Sequence, residues 1–291
     1  MRQPGGIFLC FAALWFSAPA RATTWYVPSP CPTIQAGIDS ASAGDTVEVA
    51  CGTYYEHGVD MKSGVCLRSE TGQPDCVVID GQLGGSVIEC RYIEAADDTA
   101  RVEGITITGG SLGGIYCDNA FLTISRCLLS RNHAAGNTGG AMHCYHSSPM
   151  IIDCTFSHNS VTWEYGAAIS CGSTSCPTLQ NTIIAFCTGG EPISCSVTSH
   201  PTLTCCNMYG NEGGDWVGCI EDQAGASGNF SADPQFCNPP ENNYGLGDNS
   251  PCLPVNNGCG VLIGAFGESC TDSVVQRIEP LNWSTLKEAY R

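Results

Sequence analysis

Side chains that could carry acid/base chemistry recur every 27 residues in the middle of the chain. This spacing relates six residues: Glu89, Arg91, Tyr116, Asp118, His143 and Tyr145. A carboxylate pair with an arginine and a histidine is the composition that a general acid/base site needs. Four of them are therefore candidate catalytic residues: Glu89, Arg91, Asp118 and His143. The alternative is that these positions are polar only because they face solvent, since the same column continues as Ser170 and Ser194.

Aromatic side chains suggest a binding surface instead. Five residues are candidate sugar contacts: Tyr116, Tyr145, Trp163, Tyr165 and Trp216. Flat rings give large, rigid contact surfaces, and the hydroxyl or indole N–H adds a polar contact. The alternative is that the aromatic residues near corners only cover the flank of the fold.

No metal or cofactor motif is recognisable in the sequence. Asp97-Asp98 is the only aspartate doublet, and no Gly-His-Gly follows it. The sequence has no CxxC pair, and Cys205 and Cys206 are adjacent, which disfavours a zinc site. We therefore expect no metal and no cofactor, with calcium left open although it has no motif.

The repeat that positions these side chains predicts the fold. Cys90, Cys117, Cys144, Cys171 and Cys195 stand 24 to 27 residues apart, and an aliphatic residue or methionine lies two positions before each. A period in the twenties with short strand signals is typical of a solenoid. Because strand side chains alternate, both columns share the inward face. No helical pattern interrupts the repeat, so the sequence predicts an all-β, single-stranded parallel β-helix with three short strands per coil.

Both chain ends differ from the repeat. Arg2 precedes an apolar run and small residues near Ala22, as in a cleaved secretory signal, and no other stretch is apolar for long enough to cross a membrane. Ile34 and Ile38 recur at helical spacing after Thr33, which predicts a short helix capping the first coil. We expect a signal peptide over 1–22, the N-terminal cap and first strand over 23–52, coils over 53–270, and a tail or cap over 271–291.

The composition limits the partners. The formal net charge is −17, which excludes nucleic acid as the expected partner. The sequence contains 21 cysteines, a number that suggests disulfides in an exported protein. Short spacings suggest these pairs: Cys31 with Cys51, Cys66 with Cys76, Cys252 with Cys259, Cys117 with Cys127, Cys144 with Cys154, and Cys195 with Cys205. The equal alternative within the coils is that these cysteines are free, buried thiols.

Several motifs resemble a known family. They are Thr33-Ile34-Gln35, Gly44-Asp45-Thr46-Val47, Gly52-Thr53-Tyr54-Tyr55-Glu56, Gly139-Gly140-Ala141-Met142, Phe156-Ser157-His158-Asn159, Asp233-Pro234-Gln235-Phe236 and Ile263-Gly264-Ala265-Phe266. The chain resembles exported bacterial right-handed parallel β-helix proteins of the pectate-lyase-like superfamily. This resemblance implies a right-handed coil, whereas the activity stays open because the architecture carries many functions.

These observations favour an exported protein that acts without catalysis. We expect a glycan-binding or adhesive module that is secreted, extracellular or at the cell surface, with the periplasm as an alternative location. Its expected partner is a polysaccharide or a cell-surface glycan. The alternative function is a polysaccharide lyase or glycoside hydrolase.

Overall fold

The computed structural model describes residues 22–93, 99–136, 138–163 and 165–270. Within these ranges the chain forms a right-handed parallel β-helix of about 8 turns. Three features named above lie outside the described residues. They are residues 1–21 of the expected signal peptide, the Asp97-Asp98 doublet and the expected tail at 271–291.

Three parallel sheets, here called A, B and C, form the walls of the helix. Sheet A contains Thr24–Val27, Thr46–Val49, Cys66–Ser69, Ala100–Glu103, Leu122–Ser125, Met150–Ile152, Thr178–Gln180 and Thr202–Thr204. Sheet B contains Gly52–Tyr54, Val77–Asp80, Thr106–Thr108, Leu128–Ser130, Thr155–Ser157, Ile183–Ala185 and Asn207–Tyr209. Sheet C contains Val59–Asp60, Ile88–Ile93, Ile115–Ala120, Met142–Tyr145, Ile169–Gly172 and Ile193–Cys195. The strand pair His133–Ala134 and Ser160–Val161 lies in the loops from sheet B to sheet C.

The predicted stacking in register is confirmed. Ile115 pairs with Ile88 on one side and with Met142 on the other, and Ile169 continues the column. All four side chains are fully buried. Since a residue and its equivalent one coil later share one face, each inward column fills the core continuously along the axis.

A buried asparagine ladder supports the corner after sheet B. The side-chain oxygen of Asn159 accepts a hydrogen bond from the backbone N–H of Asn132 at 3.0 Å. The amide nitrogen of Asn159 donates to the carbonyl of Leu129 at 2.8 Å. These bonds satisfy backbone groups that the corner would otherwise leave buried without partners.

The predicted N-terminal helix is also confirmed. It spans Ile34–Ser40, and the Thr33 side chain accepts from the N–H of Ala36 as an N-cap. Ile34 and Ile38 are completely buried, and the carboxylate of Glu56 accepts from the N–H of Ile34 at 2.8 Å. The helix therefore closes the first end of the core.

The coils end earlier than the predicted boundary at residue 270. After Tyr209 the chain forms a 3₁₀ helix, Gly218–Gln223, and then a closing segment that we define as residues 233–270. This segment contains the 3₁₀ helix Pro239–Glu241 and a separate sheet of Phe236–Asn238, Asn243–Gly247 and Glu268–Cys270. It runs back over the outer face of sheet B, where Leu246 and Ile263 bury Ile183 and Ala185.

The part of the chain that the structure describes contains four disulfides, and they differ from the predicted pairs. They join Cys51 to Cys76, Cys195 to Cys219, Cys205 to Cys259, and Cys237 to Cys270. The predicted pairs 31–51, 66–76, 252–259 and 195–205 are therefore wrong, and Cys31, Cys66 and Cys252 are free and buried. Neighbours along a β-helix axis lie one coil apart in sequence, as the separations of 25 and 24 residues in the first two disulfides illustrate.

The predicted pairs within coils are also absent. Cys117, Cys127, Cys144 and Cys154 are free, buried thiols, as the alternative interpretation stated. Cys117 lies in sheet C, whereas Cys127 lies at the corner between sheets A and B, so the two point from different walls of the core. Four disulfides are typical of a protein that folds in an oxidising compartment.

None of the helices in the described ranges is long and apolar enough to span a membrane.

Candidate functional site

The outer face of sheet C brings the predicted site residues together in two columns. Glu89, Tyr116 and His143 are partners on three successive strands. Arg91, Asp118 and Tyr145 form the second column, two positions further along the same strands. Because adjacent strands are about 4.8 Å apart, neighbouring members of a column are in contact range.

An ion pair and a hydrogen bond hold the charged side chains in the first half of this face. The guanidinium of Arg91 forms an ion pair with the Glu89 carboxylate at 2.9 Å and lies 5.0 Å from the centroid of the Tyr116 ring. The Asp118 carboxylate accepts a hydrogen bond from the Asn119 side chain at 2.7 Å. Arg91 therefore orders Glu89 and Tyr116 more than it presents a free cation.

His143 occupies a less polar environment at the centre of the face. Its ring stacks on Tyr116 with 5.5 Å between centroids, and its Nδ1 atom is buried without a hydrogen-bond partner. Burial lowers the pKa of His143 below its ordinary value, while the charge of Asp118 opposes this shift. The ring is therefore held neutral at pH 7.

A cleft of about 410 Å³ opens beside His143. Its lining consists of His143, Tyr145, Tyr165, Ser170, Cys171, Gly172, Ser194, Cys195 and Ser196. The tyrosines come from strand Met142–Tyr145 and from the loop that precedes strand Ile169–Gly172. Ser170 and Ser194 lie on the next two strands, and Ser196 directly follows the second of them. None of these described lining residues carries a formal charge, so the cleft suits a neutral ligand with hydroxyl groups.

The cleft is lined by one of the four candidate catalytic residues and not by the other three. His143 lines the cleft, whereas Glu89, Arg91 and Asp118 lie on the coils before it and are absent from the lining. Glu89 and Asp118 have their own partners in Arg91 and Asn119. The geometry thus supplies a ligand contact at His143 but does not gather a carboxylate pair around it.

The five aromatic candidates have different environments. Tyr145, 40% exposed, lies at the cleft together with Tyr165. Trp163 is 60% exposed and donates its indole N–H to the carbonyl of Ala135 at 3.1 Å, outside the cleft lining. Trp216 packs against the core and donates to the Ser231 hydroxyl at 3.0 Å. Tyr116 lies between Arg91 and His143.

Sequence reasoning missed Asp60, which extends the Glu89 column by one coil. The two carboxylates are partners on neighbouring strands. The pKa of Asp60 is raised, first by partial burial and then by the Glu89 charge, while Arg91 opposes the shift. The sequence did contain a signal for Asp60, because Val59-Asp60 has the same apolar–acidic pattern as Ile88-Glu89 in the next coil. The repeat is harder to recognise there because Met61 occupies the position at which the later coils carry cysteine.

A second cleft of about 380 Å³ lies between the outer face of sheet B and the closing segment. Asp80, Arg131 and Phe266 are among its lining residues, and none of the predicted site residues belongs to it. Arg131 donates to the carbonyl of Pro240 at 3.2 Å. This contact gives Arg131 a structural role in holding the closing segment.

The described residues contain one group with potential metal ligands close together, namely Cys51, Glu70 and Cys76. The two cysteines are joined as a disulfide, and Glu70 accepts a hydrogen bond from the N–H of Cys51 at 2.8 Å. The thiolates that a soft metal would require are therefore not present in this group.

In comparisons with known proteins, no family model and no curated protein matches this chain.

Proposed function

We propose that this protein is an exported, non-catalytic β-helix module that binds a neutral glycan at the sheet C cleft. The observation that carries this proposal is the composition of that cleft, which combines two tyrosine rings, serine hydroxyls and the imidazole of His143. Tyrosine rings stack on the apolar faces of sugars, while hydroxyl and imidazole groups bond to sugar hydroxyls.

The charge distribution supports a neutral ligand over an acidic one. The whole chain has a formal net charge of −17, and the described lining of the cleft contains no lysine or arginine. A polyanion would therefore approach a repulsive surface without a cation to neutralise it.

Export is supported by the four disulfides and by the apolar N-terminal sequence after Arg2. We place the protein outside the cell or at its surface, among relatives of the pectate-lyase-like superfamily that it resembles in its N-terminal and corner motifs. In this role the rigid solenoid presents the cleft to glycans of the surroundings.

Binding by purified protein to a panel of immobilised polysaccharides tests the proposal. We expect retention on a neutral glycan, and we expect Tyr145→Ala and Tyr165→Ala each to weaken it roughly tenfold, which corresponds to about 1.4 kcal/mol. Tyr55→Ala is the matched control because Tyr55 is exposed and lies outside the cleft lining. Retention that survives both cleft substitutions, or no retention on any neutral glycan, would contradict the proposal.

A polysaccharide hydrolase is the second candidate function, and the Asp60 and Glu89 pair favours it. Two neighbouring carboxyl groups, one with a raised pKa, are the composition of a glycosidase acid and its partner. Reducing-end assays on the same panel separate the candidates. Product that disappears in Asp60→Asn would replace the non-catalytic proposal with this one.

A further inference from the structure

Free cysteines form a continuous column inside sheet C. Cys117 is the strand partner of Cys90 and Cys144, and Cys144 is the partner of Cys171. All four are buried thiols. The column continues to Cys195, which is already bonded to Cys219 of the following turn.

A second column runs along the corner between sheets A and B. Cys127 and Cys154 occupy equivalent positions, since each directly precedes one of the paired residues Leu128 and Thr155. The next coil carries Thr182 at this position, and Cys206 follows one coil later. Cys127 and Cys154 are therefore adjacent, whereas Thr182 separates Cys206 from both.

The molecule already contains a disulfide between equivalent positions of two successive coils. Cys51 and Cys76 precede the paired residues Gly52 and Val77, so they are register partners on successive coils. Their disulfide has a Cα–Cα distance of 4.5 Å. Strand neighbours about 4.8 Å apart lie in the same range of Cα separations that disulfides accept.

We propose that Cys90 with Cys117, Cys144 with Cys171, and Cys127 with Cys154 form three further disulfides that join successive coils along the axis. In each pair, two thiols lose two protons and two electrons, and one sulfur–sulfur bond forms. The oxidant is a disulfide-bearing compound or protein of the export compartment, which is reduced to two thiols. Because Cys195 is bonded to Cys219, the four remaining members of the first column pair without a remainder.

These bonds form while the coils stack. In the folded chain Cys90, Cys117 and Cys144 are inaccessible to solvent, so an external oxidant cannot reach them. Burial also raises the pKa of Cys144, and that of Cys171 to about 12, which suppresses the reactive thiolate. Oxidation therefore has to precede closure of the core around each pair.

Mass mapping of the full chain, produced through an oxidising export route, tests this proposal. The protein is unfolded without reductant, treated with N-ethylmaleimide and digested. We expect peptides cross-linked at all three pairs, so that six of the twelve free thiols of the described chain lose their adducts. Cys187 and Cys206, which have no adjacent cysteine in their columns, keep theirs.

The pairing itself is tested by one substitution and a matched control. Cys117→Ser should restore an adduct at Cys90 and leave the bond between Cys144 and Cys171 intact, while Cys206→Ser should only remove its own adduct. Adducts on all six column thiols, in protein whose bond between Cys51 and Cys76 is intact, would overturn the proposal. A new adduct at Cys144 in the Cys117→Ser protein would overturn the assigned pairing.

Discussion

At the residue scale, the central feature is an imidazole kept neutral by its surroundings. His143 has Tyr116 against one face of its ring, and Asp118 is the carboxylate whose charge acts on it. Burial outweighs that charge, so the pKa of His143 falls below the ordinary value of 6.5. A neutral ring can accept or donate one hydrogen bond without requiring a counter-ion, which suits a sugar hydroxyl.

This shift predicts how stability changes with pH. The unfolded chain binds a proton at His143 more tightly than the folded chain, so stability falls as pH drops below about 6.5 toward the lower folded pKa. Burial lowers the pKa of His158 too, so His158 adds a loss of the same sign. We expect His143→Gln to flatten the loss between pH 7 and pH 5, measured by urea unfolding.

The exposed His200 supplies the control for this experiment. His200→Gln should leave the pH dependence of the unfolding free energy as in the original protein, because surface substitutions have small effects. Equal pH dependence in the His143→Gln and original proteins would show that burial does not govern this ring.

At the element scale, a side chain of the helix Ile34–Ser40 forms hydrogen bonds to the backbone of Val59–Asp60, the first strand of sheet C. The Gln35 side chain accepts from the N–H of Asp60 at 2.8 Å and donates to the carbonyl of Asp60 at 3.5 Å. At the other end of the solenoid, Gln223 accepts from Leu203 N–H at 2.8 Å and donates to Pro201 at 2.9 Å. These amides imitate a neighbouring strand, so they protect edges that could pair with other chains.

Loss of this cap has a defined expected effect. Gln35→Ala should lower the free energy of unfolding by about 0.5–1.5 kcal/mol, because the N–H of Asp60 loses its partner. Urea unfolding measures the change, and light scattering reports any self-association through the exposed edge. Gln180→Ala is the control, since Gln180 is an exposed residue of an inner strand in sheet A. Equal losses in both variants would contradict the capping role.

The repeated elements were predictable because one physical rule generates them. From Ile88 onward, each strand of sheet C places its Ile or Met and its Cys on the same inward face, so Ile115 and Cys117 recur 27 residues later as Met142 and Cys144. The short helix was predictable from the spacing of its buried residues. The cysteine pairing was not, since residues ten positions apart in sequence lie on different walls of the core, and only the register identifies true neighbours.

At the scale of the whole molecule, the closing segment covers part of the outer face of sheet B. Ile183 and Ala185 point away from the solenoid core, yet Leu246, Leu253 and Ile263 bury them completely. The sequence Ile183-Ile184-Ala185, apolar on both faces, was the signal that this strand is covered. The closing segment has no repeat of its own, so the sequence could not place it. Sheet C thus keeps an open outer face.

The contribution of the closing segment can be measured with one substitution. Ile263→Ala should lower the free energy of unfolding by about 2–5 kcal/mol, because Ile263 is fully buried against sheet B. Val255→Ala in the same segment should change it by less than about 0.5 kcal/mol, because Val255 is 87% exposed. Equal small effects in urea unfolding would mean that the segment is only loosely attached.

The central claim is that the cleft on sheet C is the glycan-binding surface, and NMR tests it most directly. Backbone amide shifts are followed while the neutral glycan retained in the panel assay is added. The account predicts that the largest shifts cluster at Tyr145, Tyr165, Ser170 and Ser194. Shifts centred on Asp80 and Arg131 in the sheet B cleft, or no saturable shifts at all, would contradict it.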